Sequence, residues 1–214
     1  MCVEVNFTCA VEFPILINML SDHLRDQCRL DHDSIEHSVD LLKLVSHPDH
    51  YLRVLKSFYG YYLPIEQSLY SFEKDFSKLG IDLNQRAKLN LLKADLNYLG
   101  VTKAEIENIE LCQSIPNIND IYQAMGTLYV LEGSTLGAQI IFKRLTTSKV
   151  ISHHGLGGSF FRPYEAQTLN MWQQIKYALN LLSGDDDHRL VMAAKETFRT
   201  LEHCLSQNCA GKVN

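Results

Sequence analysis

His32 stands four residues after Cys28, three before Ile35 and seven before Val39, so it borders an apolar stripe at helical spacing. A lone imidazole there is either a satisfied boundary residue or a ligand. A second irregularity lies further along. Gly126, Gly133 and Gly137 interrupt a stretch from Asp120 to about Leu145 that otherwise reads as one helix. Each mid-helix glycine costs about 0.5–1 kcal/mol relative to alanine, so three in one helix need compensation. Their spacings, i,i+4 and i,i+7, put them near one face. That face serves either close helix–helix packing or a flat ligand lying across the backbone. Together, a candidate axial His and a glycine-faced helix suggest a planar macrocycle held between two helices, with His32 as the axial ligand to a haem iron.

The elements that must position these residues are helical. A first helix is expected from near Ser21, with Leu24, Cys28, Ile35, Val39 and Leu42 as its apolar stripe. A second starts at Pro48, a good first-turn residue, with Pro64 as a candidate kink. Gln85–Leu99 reads as a helix closed by Gly100, and Thr102–Glu105 as a short capped turn. Cys112–Asn119 and His153–Gly158 read as loops, Pro163–Leu182 and about Asp186–Ser206 as the last two helices. Few strand-like runs, no internal repeat and no linker are visible. The expectation is one all-α domain of six to eight helices at 21–207, with an N-terminal extension at 1–20 and a tail at 208–214.

The chain has 214 residues, 46% of them hydrophobic, enough to bury a sizeable core. Twenty Lys and Arg stand against 25 Asp and Glu, giving a net charge of −5, which argues against a nucleic-acid partner. The longest near-apolar run, Phe13–Leu20, is too short for a bilayer span, and no basic residue precedes it as an export signal would require. A cytoplasmic protein is expected, with no membrane partner. The six cysteines form no C-x-x-C pair and are expected as reduced, mostly buried thiols.

Several motifs together resemble a haem oxygenase of the bacterial type. The segment from Leu24 through Arg25 and Cys28 to His32 is similar to the family's opening L-[RK]-x-x-T-x-x-x-H, with Cys28 in place of the usual Thr. Ser57–Glu66 resembles the aromatic second helix, and Leu91–Leu96 with Leu99-Gly100 a bacterial LL-x-x-DL-x-x-LG stretch. The strongest match is Leu128–Gln139, similar to the distal-helix signature YVxEGSxLG. The likeness runs from about residue 22 to 205.

The resemblance implies a multi-helical bundle with haem between proximal and distal helices, haem being both cofactor and substrate. His32 would be the axial ligand. Gly133 and Gly137 would lie over the distal face, with Ser134 and Tyr59 ordering water there. Arg25 would meet a haem propionate, with Arg29 and Lys176 as further candidates. The implied reaction takes haem and O2 to biliverdin, CO and ferrous iron. Electrons would come from outside, from a ferredoxin or flavoprotein reductase, since no flavin fingerprint is present. Ser134 and Val130 depart from the mammalian pattern, which has Asp and a basic residue there. A haem- or bilin-binding protein without turnover is the alternative. Di-iron chemistry is disfavoured because no Glu is followed by His at the third position. Oligomeric state is left open.

Overall fold

A computed structural model describes residues 19–209 apart from 183 and 185. The Phe13–Leu20 run up to residue 18, Cys2, Cys9, the 183–185 break other than Gly184, and the chain beyond 209 lie outside the described residues, as does the side chain of Cys209. No strand occurs among the described residues, so the expected all-α class holds.

The helices are α1 (Met19–Ser38), α2 (Leu41–Leu44), α3 (Pro48–Tyr70), α4 (Glu73–Lys78), α5 (Leu89–Tyr98), α6 (Lys103–Glu107), α7 (Ile121–Thr147), α8 (Thr168–Leu182) and α9 (Asp187–Cys209). Local chemistry sets several boundaries. Asp120 caps α7 by accepting from the backbone N–H groups of Tyr122 and Gln123. Thr102 and Glu105 form the expected capping box of α6. Gly100 ends α5 at a φ of 87°, which a side chain would strain.

Three boundaries differ from the sequence reading. The first helix stops at Ser38 because Asp40 caps the separate turn α2, so Leu42 leaves the stripe and is exposed. Helix α5 begins at Leu89 instead of Gln85. Arg86 and Lys88 sit in the preceding turn, where the Lys88 N–H donates to the Glu66 carboxylate at 2.7 Å. Pro163 opens a turn and a short 3₁₀ segment, Glu165–Gln167, and α8 starts only at Thr168.

Packing centres on α7 and α9, which lie against each other, with α1 and α3 also packed on α9. Gly126 is what lets α9 come this close: a Cβ there would run into the carbonyl oxygen of Leu190. That glycine therefore belongs to helix packing and not to a ligand face. Gly60 plays the same part in α3, where a Cβ would strike the backbone of Glu110. The expectation of reduced thiols fails at one pair. Cys112, in the loop before α7, is disulfide-bonded to Cys204 on α9, their Cα atoms 5.8 Å apart and 92 residues apart in sequence. Cys28 remains a free, buried thiol.

Candidate functional site

A cavity of about 820 Å³ opens between α1 and α7, within the usual range of about 300–1,000 Å³ for cofactor pockets. Helix α1 supplies His32 and Arg25, and α7 supplies Gly133, Ser134 and Gly137. Phe58 and Tyr62 of α3, Trp172 and Lys176 of α8, and Phe198, Leu201 and Leu205 of α9 complete much of the wall. The lining is mainly apolar, as a flat hydrophobic ligand requires.

His32 is about half exposed, and its ring meets Phe198 edge-on at 5.8 Å. The carboxylates of Asp33 and Glu36 lie 3.9 and 3.8 Å from its two ring nitrogens. Across the cavity, the α7 backbone is bare at two steps. A Cβ at Gly137 would meet nothing within 4 Å, so it would project into open space. One at Gly133 would sit 3.6 Å from the Trp172 ring. The glycines thus leave a flat floor facing an imidazole, and the residues present fit a planar, iron-bearing macrocycle.

The polar side of this floor gathers around Glu132, and Lys88 of that group itself lines the cavity. Glu132, one residue before Gly133, is buried between Arg86 and Lys88 and pairs with both. Tyr164 donates a hydrogen bond of 2.7 Å to the same carboxylate. Arg86 also reaches the Met171 carbonyl and Gln174, while its Nε has no partner. Two cations around one carboxylate hold the α7 segment that carries Gly133. Burial pushes the neighbouring Glu66 carboxyl above the usual range.

Nearer the cavity, Ser134 donates to the Leu131 carbonyl at 2.8 Å, and its hydroxyl lies close to the Tyr62 phenol. Desolvation keeps that phenol well above the ordinary tyrosine range, so it stays a donor at neutral pH. Tyr62, one helical turn beyond Tyr59, lines the cavity. Tyr59 is buried but does not line the cavity, and burial, assisted by the Glu107 carboxylate, raises its phenol above the ordinary range.

The aromatic wall is fixed from below. Buried Asp95 on α5 accepts from the backbone N–H groups of Ser159 and Phe160 at 2.9 and 2.8 Å. Tyr51 donates to the Gly157 carbonyl at 2.6 Å. These bonds seat Phe160 and Phe161 in the cavity wall against Phe58.

The expected cations divide. Arg25 lines the cavity but is exposed, 3.2 Å from Asp22 and 3.4 Å from Asp26. Lys176 lines the cavity from α8 and has no carboxylate within ion-pair distance among the described residues. Arg29 is exposed on α1 and does not reach the cavity. Arg86, Lys88, Glu132 and Tyr164 went unread in sequence. The signal available was Glu132 in a stretch otherwise apolar or small, since a lone acid there must find a cation.

The site is thus a cavity in an all-helical bundle, between an imidazole-bearing helix and a glycine-stepped one. The family model for heme oxygenase matches residues 18–207, and the chain belongs to that family. Its fold is similar to that of the heme oxygenase of Neisseria meningitidis, solved with NO and CO bound, at a TM-score of 0.76 and 19% identity, covering 91% of this chain and 94% of that one. It is also similar to the heme oxygenase of Leptospira interrogans, at a TM-score of 0.71 and 20% identity, covering 88% of this chain and 98% of that one. No curated protein matches the chain. No described helix is long and apolar enough to cross a membrane.

Proposed function

We propose that the chain is an active haem oxygenase that opens haem to biliverdin, CO and ferrous iron, taking O2 and electrons from an external donor such as a ferredoxin or flavoprotein reductase. The observation that carries this reading is the pairing of His32 on one wall with the bare Gly133–Gly137 floor on the other. Bound haem would supply the iron that activates O2 and the macrocycle that is oxidised.

The chain's own residues would do the rest. His32 would hold the haem iron through a ring nitrogen, a ligand that lacks the electron push of a thiolate. Gly137 leaves room above the floor, while Gly133 against Trp172 narrows it on one side, so the space left for a bound group would be asymmetric. The Tyr62 phenol keeps its proton at the cavity wall, where it serves as a hydrogen-bond donor. Lys176 and Arg25 receive the carboxylates at the rim. The apolar remainder excludes bulk water. The cytoplasm is the compartment this reading assigns.

The test is an optical titration of the purified protein with hemin, beside His32→Ala, followed by ascorbate or a reductase system in air. A Soret band shifted or lost in the variant, decaying in wild type to a biliverdin absorption, supports the assignment. Haem binding through His32 without turnover makes this a haem-binding protein. Absence of saturable binding removes the proposal.

A further inference from the structure

The clasp between Cys112 and Cys204 ties an irregular segment to a wall of the cavity. Cys204 lies on α9 between Leu201 and Leu205, both of which line the cavity, and one and a half turns beyond Phe198, which packs on His32. Cys112 lies in the segment between α6 and α7, held to α3 by its own N–H on the Gly60 carbonyl at 3.1 Å. The disulfide therefore joins α3, this segment and α9 at one point.

The same point suits the reduced pair. The two sulfurs lie 3.8 and 3.7 Å from the carbonyl oxygen of Ser57, so each thiol formed on reduction has an acceptor at hand. A buried S–H with an acceptor is tolerated, so reduction leaves no orphaned donor. Access is unequal. Cys112 is partly exposed, whereas Cys204 is buried.

We propose that Cys112 and Cys204 form a reversible redox site whose oxidation fixes α9 against the cavity and whose reduction loosens the haem. The inference rests on reading the cavity as a haem pocket. A dithiol attacks Cys112 Sγ as its thiolate, the S–S bond breaks, and Cys204 leaves as a thiolate. The reagent's second thiol then displaces Cys112 and closes its own disulfide ring. Two electrons and two protons pass from reagent to protein, giving two thiols. A small-molecule disulfide of the oxidised-glutathione class reverses the exchange. Because binding and redox state share one equilibrium, haem must resist reduction of the clasp by the same factor that reduction weakens haem.

The experiment compares protein poised in oxidised and reduced dithiothreitol, with Cys112→Ser as a permanently open form. Intact mass and peptide mapping report the pair, which gains about 2 Da on reduction. Hemin titration of each form should show weaker binding when the clasp is open, by about fivefold or more, the low end of usual couplings. Haem-loaded protein should need a correspondingly more reducing mixture to open. A pair that never oxidises, or equal hemin affinity in both forms, overturns the proposal. Should hemin bind neither form, the haem-pocket reading itself fails. Hydrogen exchange of the apo-protein then decides the clasp: faster exchange across 198–205 on reduction supports it, and identical exchange overturns it.

Discussion

The backbone N–H of Cys112 donates to the carbonyl oxygen of Gly60, four residues before Pro64. Proline has no N–H, so within α3 the Gly60 carbonyl loses its regular i+4 donor. The Cys112 amide replaces it from outside the helix. Gly60 can be approached this closely because it has no Cβ to meet Glu110. Thus Pro64 leaves α3 continuous, and the partner for its freed carbonyl comes from a loop 52 residues away along the chain.

Gly60→Ala should therefore destabilise the fold despite alanine's better helix propensity. Displacing the Glu110 backbone is overpacking, worth about 1–3 kcal/mol, against a gain of about 0.5–1 kcal/mol from propensity. Urea unfolding of wild type and variant checks it. A variant as stable as wild type would show that the loop yields at no cost.

Gly126 and Gly137 should respond in opposite ways. Gly126→Ala drives a methyl into the Leu190 carbonyl and should cost roughly 1–3 kcal/mol. Gly137→Ala meets nothing and should stabilise the apo-protein by about 0.5–1 kcal/mol. The same methyl projects into the cavity proposed to hold haem, so hemin affinity or turnover should fall in Gly137→Ala. Thermal unfolding of both apo-variants, with hemin titration of the second, separates a packing glycine from a ligand-facing one.

Those two residues also show what the sequence could and could not disclose. Periodicity placed the α7 helix and its glycines, because 3.6-residue repeats and glycine penalties are local. It did not sort Gly126 from Gly137, because the difference is α9, about 60 residues further on. His32 was legible because it borders an apolar stripe. Tyr62 was not, because Phe58, Tyr59, Tyr61 and Tyr62 cover more than one face, and only the packed fold shows that Phe58 and Tyr62 line the cavity. Arg86 and Lys88 carry no local signal, since their carboxylate partner Glu132 lies over 40 positions away.

Glu132 should be among the least replaceable residues of the floor. Glu132→Ala leaves Arg86 and Lys88 buried with a missing counter-charge, which costs about 3–5 kcal/mol. Replacing all three with apolar residues of similar volume should recover much of that loss, since the pair's desolvation is removed together with its attraction. Urea midpoints of the single and triple variants give the comparison. An unaltered midpoint for Glu132→Ala would mean the cations find other partners.

Cys28 carries a pH dependence. Desolvation, assisted by the Asp31 carboxylate, pushes its thiol up from 9.0 to about 11. The folded state thus favours the neutral thiol, so its contribution is intact below pH 9 and is lost as pH rises from 9 through 11. Wild type should lose more thermal stability than Cys28→Ala across that window. At pH 8, peptide mapping after iodoacetamide should find Cys28 unmodified in the folded protein and alkylated in urea.

The two rim cations should prove unequal. Arg25 already shares its charge with Asp22 and Asp26, so a haem carboxylate must compete with two acids for it. Lys176 has no such competitor within ion-pair distance among the described residues. Lys176→Ala should weaken hemin binding by roughly tenfold, the low end for a charge-assisted hydrogen bond at a partly exposed site. Arg25→Ala should change it by less than about threefold, in the range of exposed ion pairs. Both effects should shrink as salt rises from 0.05 to 0.5 M, because the rim is open to screening. The dimethyl ester of haem, which lacks the carboxylates, should bind wild type and Lys176→Ala alike. A Lys176 effect that survives esterification would mean the side chain acts through packing of its stem against the cavity wall, and Arg25 would become the better candidate for the carboxylates.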